Sequence, residues 1–132
     1  MTIHQLIYMS EPFGFDDGIL NGILSISRRN NVRDGLTGAL VCRRDIYLQL
    51  LEGPAVAIEA TYARIKRDDR HLAIVQLVSE PVEARLFPDW AMRDDPARSW
   101  MWSEAEVGAG AVQAATPAEV RNVFERVARE AV

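Results

Sequence analysis

The chain is poor in several things, and each shortage excludes something. It has one cysteine, Cys42, among 132 residues. A lone thiol excludes an intrachain disulfide and a CxxC metal site, and it fits a reducing compartment. There is no excess of positive charge: 15 Lys and Arg stand against 19 Asp and Glu, for a net charge of −4. Nucleic acid and anionic membranes both call for basic surface, so neither is expected as a partner. No apolar stretch approaches the ~20 residues that span a bilayer. The start, Met1-Thr2-Ile3-His4-Gln5, lacks the basic region and apolar run of a signal peptide. The expectation is therefore a cytoplasmic protein. Catalytic signatures are missing as well: no nucleophile–base motif, no P-loop and no metal-ligand spacing is found.

What is present suits a single globular domain. Hydrophobic residues make up 48% and charged residues 26%, which excludes disorder and allows a real core. Ile3 to Met9 alternates as a strand, with Ile3, Gln5, Ile7 and Met9 on one face and His4, Leu6 and Tyr8 on the other. After the loop Phe13-Gly14-Phe15, Asp16 or Asp17 can cap a helix whose apolar stripe is Ile19, Ile23 and Ile26. That helix is expected to end near Asn30-Asn31. Leu36 to Cys42 and Ile46 to Glu52 form a hairpin about the turn Arg43-Arg44-Asp45. Gly53-Pro54 breaks the pattern, and Pro54 suits the first turn of a second helix. Ile58, Tyr62 and Ile65 are its stripe, and its end is expected around Asp68-Asp69. Leu72 to Val78 reads as a fourth strand and Leu86 to Met92 as a short fifth.

The order β-α-β-β-α-β with an extra strand is the ferredoxin-like pattern, an α+β fold with both helices on one face of an antiparallel sheet. Beyond Met92 the chain turns irregular, through Trp100, Trp102 and a Gly/Ala stretch from Gly108 to Ala115. Thr116-Pro117-Ala118-Glu119 is a helix start, followed by Val120, Val123, Phe124, Val127 and Ala131 on one face. This tail helix is expected to dock across the free face of the sheet.

Five fragments in order resemble one family. Leu6-Ile7-Tyr8-Met9-Ser10 resembles the first-strand tyrosine motif of BLUF domains. Asn30-Asn31 with Leu36-Thr37-Gly38-Ala39-Leu40 is similar to the end of the family's first helix and its second strand. Leu48-Gln49-Leu50-Leu51-Glu52-Gly53 resembles the glutamine motif, and the run from Arg64 to His71 resembles the end of the second helix. Phe87-Pro88-Asp89-Trp90-Ala91-Met92 resembles the fifth-strand Trp-x-Met motif. The resemblance spans about residues 3 to 93. It implies a flavin-binding domain over residues 1–95, with residues 96–132 as a linker and helix for capping or oligomerisation.

The resemblance further implies a blue-light photoreceptor, not an enzyme, with FAD or FMN as chromophore. Carried over by position, Ile23 and Ile65 would pack on the two faces of the ring. Asn31, with Asn30 beside it, would bond the polar pyrimidine edge. Arg64, Asp68, Arg70 and His71 would hold that edge or the ribityl and phosphate end. Tyr8 and Gln49 would be the photoactive pair, with electron and proton transfer from the tyrosine to the flavin and a rearranging glutamine. Trp90 or Met92 would receive the change, and the sequence leaves open which one lies inside. No effector module follows residue 93, so the expected output is in trans, to an unnamed partner protein, from a homodimer or larger homo-oligomer.

Taken singly, most of these residues have plainer readings. Tyr8 can be a core tyrosine, Asn31 a helix-end residue, Ile23 and Ile65 core, and the charges near His71 a solvated helix end. Gln49 is the more informative residue, because it interrupts the apolar strand of Ile46, Leu48, Leu50 and Leu51. Burying an amide without partners costs roughly 2–7 kcal/mol, so it must meet polar groups. An amide has a donor end and an acceptor end, and between a phenol and a ring edge it has two hydrogen-bonding arrangements. The competing readings are a flavin-free interaction module and a small acylphosphatase-like enzyme. The loop after Tyr8, with Pro12 and two phenylalanines, does not look like the anion-binding loop the latter needs.

Overall fold

A computed structural model of the chain describes residues 3–12, 17–67, 71–88, 90, 92–96 and 101–130. The strands are β1 (Ile3–Pro12), β2 (Thr37–Arg43), β3 (Ile46–Gly53), β4 (His71–Val82) and β5 (Arg93–Pro96). The helices are α1 (Asp17–Asp34), α2 (Ala55–Lys66), α3 (Glu104–Gly108), α4 (Ala111–Ala114) and α5 (Pro117–Glu130). The sheet order is β4-β1-β3-β2-β5, the ferredoxin-like arrangement with one added edge. Neighbours are antiparallel except β5, which runs parallel to β2.

Alternation along the strands divides the interior in two. Leu6, Tyr8, Leu40, Cys42, Tyr47 and Leu51 face α1 and α2, where Leu24 and Ile58 complete the cluster. Ile7, Met9, Ala39, Val41, Ile46, Leu48 and Leu50 face the other way, against Val112, Val120, Val123, Phe124 and Val127. The tail helix thus covers the back of the sheet, as its stripe predicts. Burying each of these large side chains is worth about 1.5–3 kcal/mol, which outweighs the weak propensity of a 14-residue helix. Central strand β3 is buried along its whole length because both faces are covered. Arg121 ties α5 to the sheet, its Nε 2.9 Å from Gln5 Oε1 and its Nη2 bonded to Glu80.

Several boundaries differ from expectation for identifiable reasons. Helix α1 continues past Asn30-Asn31 to Asp34, and Gly35 stops it at φ +73. Leu36 N donates to Asn31 O at 2.9 Å, the six-to-one bond of a Schellman ending. The buried anchor of α1 is Leu24, whereas Ile26 is 39% exposed and the side chain of Ile19 lies outside the described residues. Helix α2 ends at Lys66, and Asp68-Asp69 lie outside the described residues, as do Phe13 to Asp16, Trp100 and Ala131. Pro54 is the N-cap of α2, one position before its first turn. Strand β4 runs on to Val82 because β1 offers a partner as far as Ile3.

The fifth strand is displaced. Residues 86–88 form no ladder, and pairing begins only at Arg93, against Ala39. Pro88 cannot donate to a ladder, and Phe87 and Met92 turn inward to fill opposite cores. The polar run Arg93-Asp94-Asp95-Pro96 reads as loop by composition, yet an edge strand tolerates such residues. The irregular stretch after it contains α3, opened by a capping box of Ser103 and Glu106 that the hydrophobic pattern did not reveal.

The expected box at α5 forms: Glu119 N donates to Thr116 Oγ1, and Thr116 N to Glu119 Oε1, both at 3.1 Å. The bond from the Thr116 backbone holds the Glu119 carboxyl below its ordinary value of 4.5. A lowered carboxyl stabilises the fold above the ordinary value and loses that contribution as pH falls through the lowered one. In urea titrations the gap between wild type and Glu119→Ala should therefore be constant from pH 7 to about 4.5 and narrow below it. A gap independent of pH would show that the carboxylate bond does not contribute.

Candidate functional site

The site starts from β1 and β3, where Tyr8 and Gln49 are direct cross-strand partners. Both are buried, at 1% and 4% exposure, and both face the helices. Tyr8 Oη donates to Gln49 Oε1. The other end of the amide, Nε2, lies 3.5 Å from Met92 Sδ. Gln49 therefore meets an oxygen donor on one side and a soft sulfur acceptor on the other. Met92 is 1% exposed whereas Trp90 is 47% exposed, so of the two candidates it is Met92 that lies beside Gln49.

Above this pair, α1 and α2 leave a cleft. Its walls are Ile23 and Ile26 from α1 and Ile65 from α2, and its floor is Tyr8, Gln49 and Leu51. Ser27, Asn30 and Asn31 supply polar groups from α1, and Thr61 and Arg64 from α2. Arg64 Nη2 is 3.1 Å from Thr61 Oγ1 and 3.3 Å from Asp34 Oδ2, so the guanidinium bridges the two helices at the rim. Asp34 is held below the usual carboxylate range, first by Arg33 beside it and also by Arg64. Tyr62 packs on Tyr8 with ring centres 5.6 Å apart, and burial pushes its phenol pKa up. Lys66 Nζ lies 4.8 Å over the Tyr62 ring.

The structure thus gathers Tyr8, Ile23, Asn30, Asn31, Gln49, Arg64 and Ile65 in one cleft, with Met92 behind it. Asp68 and Arg70 lie outside the described residues, as does the side chain of His71, which opens β4. Sequence reasoning missed Ser27 and Thr61. Their signal was spacing: Ile23, Ser27 and Asn31 are four apart on α1, and Thr61 and Ile65 four apart on α2. Polar residues inside a buried stripe mark a lined cavity more readily than a packed core.

Glu52 was missed as well. It is fully buried, yet each carboxylate oxygen is used. Leu86 N donates to it at 2.8 Å, Phe87 N at 2.7 Å and Thr37 Oγ1 at 3.1 Å. Arg85 reinforces the joint through Thr37 Oγ1 at 2.8 Å and the backbone oxygens of Glu52 and Gly35 at 3.1 and 2.9 Å. This clamp fixes the start of the strap that carries Met92, where a ladder would otherwise be needed.

The family model described as sensors of blue-light using FAD matches residues 3–93. The chain belongs to the BLUF family. A BLUF protein, BlrB in its dark state, matches with a TM-score of 0.80 at 28% identity, over 98% of this chain and 97% of that one. The photoactivated adenylate cyclase subunit beta of Euglena gracilis is 31% identical over 95 residues, which are 69% of this chain and 11% of that protein. The chain thus spans about a tenth of that curated relative. BlrP1 of Klebsiella pneumoniae, solved with FMN and cyclic diGMP, matches with a TM-score of 0.67 at 25% identity, over 85% of this chain and 30% of that one.

BLUF domains are sensor modules that bind flavin, and the cleft here fits such a group. A flat heteroaromatic ring needs apolar walls and a rim of donors and acceptors, and Ile23, Ile65, Asn30, Asn31 and Gln49 supply both. Among the described residues no helix is long and apolar enough to cross a membrane, and no cluster of His, Cys, Asp or Glu could hold a metal.

Glu52→Gln replaces one acceptor by an NH2 group that faces a backbone N–H or the Thr37 hydroxyl. It should lower stability by about 1–3 kcal/mol, read from the midpoint of urea unfolding at unchanged slope. An unchanged midpoint would mean that the strap is held by other bonds.

Proposed function

We propose that this BLUF chain senses blue light through a flavin held between α1 and α2, with Tyr8, Gln49 and Met92 as the element that light rearranges. The observation that carries the reading is the buried contact series Tyr8 Oη–Gln49–Met92 Sδ on the cleft floor. FAD, when bound, would supply the light absorption and an electron-accepting ring. Ile23 and Ile65 would hold that ring by its faces, Asn30 and Asn31 would orient its polar edge, and Arg64 would turn from Asp34 toward the cofactor's anionic end.

Tyr8 is suited to the donor role because a phenol can release an electron and a proton together. Its hydrogen bond to Gln49 Oε1 gives that proton a path. Gln49 then has two arrangements, and half a turn of its amide exchanges what it offers Tyr8 and Met92. With Oε1 toward Tyr8, the NH2 group points at sulfur, a weak acceptor, so on that side little is lost in the exchange. A two-state element with small differences between its states is what a switch requires. The light-driven change would leave through Met92 and its strap, to a partner protein in trans.

An absorption spectrum of purified protein, in darkness and then in blue light, tests the reading. A flavin spectrum with a small reversible red shift is expected. Tyr8→Phe and Gln49→Leu should both stay yellow and lose the shift; a normal photocycle in Gln49→Leu would refute the assigned mechanism. Self-association belongs to the same proposal, and light scattering at working concentration should give a dimer or larger assembly. A monomer would remove it.

A further inference from the structure

Met92 reaches Gln49 from a strap whose start is clamped by Glu52. Further along, Trp90 O accepts from Gly38 N at 3.0 Å, and the ladder with β2 begins at Arg93. These bonds fix where Met92 lies. The Met92 carbonyl belongs to the peptide unit that joins it to Arg93, where the ladder starts, and it makes one further contact. That contact comes from α1: Arg28 Nε donates to Met92 O at 3.0 Å, a bond that closes a sequence gap of 64 residues.

Arg28 follows directly on Ser27, and α1 meets the cleft through Ile23, Ser27 and Asn31. Successive residues on a helix are about 100° apart, so one turn of α1 presents a cleft-lining row and, beside it, the grip on Met92. Carbonyl and side chain of one residue share its Cα, so a shift of α1 that draws the Met92 backbone along also moves Sδ. We propose that Arg28 is a positioning residue, which makes the contact of Met92 with Gln49 follow the position of α1 and hence the closure of the cleft on a bound ring. The proposal rests on the flavin reading above. It gives the cofactor two routes to Gln49, one direct and one through the helix that grips it. An Nε–H is a suitable group for this, because it is fixed in the guanidinium plane, whereas a lysine ammonium donates in any direction.

The test uses the full chain with carbon-13 label on its methionine methyl groups, in wild type, Arg28→Gln and Arg28→Lys. Met9 and Met101 lie in the core behind the sheet and serve as references. In flavin-free protein Arg28→Gln should displace the Met92 methyl resonance and leave those of Met9 and Met101 in place; an unchanged Met92 resonance overturns the proposal. On addition of FAD the Met92 signal of wild type should move. In Arg28→Gln that movement should be lost while FAD uptake stays at the wild-type level, and Arg28→Lys, which keeps a donor, should recover part of it. A full wild-type movement in Arg28→Gln overturns the coupling. Failure of the flavin reading is distinct, since the wild-type chain would then take up no FAD.

Discussion

A primary amide lies in the middle of a strand buried on both faces, and much of the architecture follows from what that amide needs. Gln49 would be intolerable in β3 without partners, and the register of β1 against β3 provides the first by setting Tyr8 directly opposite. The second, Met92, comes from a segment that joins the sheet only at Arg93. Removing that segment from the ladder creates its own problem, two backbone N–H groups without strand partners. Glu52, three residues along the same strand, accepts both. One strand thus holds the polar group at the cleft floor and, on its other face, the carboxylate that steadies the segment carrying that group's second partner.

The carboxylate is buried for a reason that can be compared with its cost. An isolated ionised group in an apolar interior is strongly disfavoured, whereas a carboxylate that accepts several N–H and O–H bonds is not. Glu52 accepts three such bonds, from Leu86, Phe87 and Thr37, with Arg85 across the joint. A surface ion pair of the kind formed by Arg44 and Glu104 contributes little by comparison, since solvent screens both partners.

Much of this was legible in the sequence. Strict alternation in β1 separated Tyr8 from Met9, and the apolar run of β3 made Gln49 conspicuous. The Thr116 capping box and the Val/Phe stripe after it foretold a helix over the back of the sheet. Other features were hidden because their causes are tertiary. The end of α1 depends on Gly35 entering the left-handed region, a stronger stop than the Asn pair that precedes it. Strand β5 is polar and depends on a parallel neighbour, so neither period nor propensity reveals it. Arg28 and Glu52 reach partners more than thirty residues away, and no local pattern records such contacts. The choice between Trp90 and Met92 likewise depended on which way a non-ladder segment turned.

The sheet separates two apolar layers that are not equally complete. Behind it, α5 and its neighbours interlock with β1, β2 and β3, with Phe124 edge-on to Phe87 at 6.5 Å. In front, α1 and α2 flank the cleft, and Arg64 and Asp34 bridge them at its rim. Hydrogen exchange in such a molecule has two regimes. The amides of α5 and β3 are expected to open with global unfolding, and those of α1 and α2 more readily until a ligand supplies the missing half of their packing. On that expectation the front layer opens as a unit of its own, and its rigidity follows its guest while the back layer keeps the fold intact.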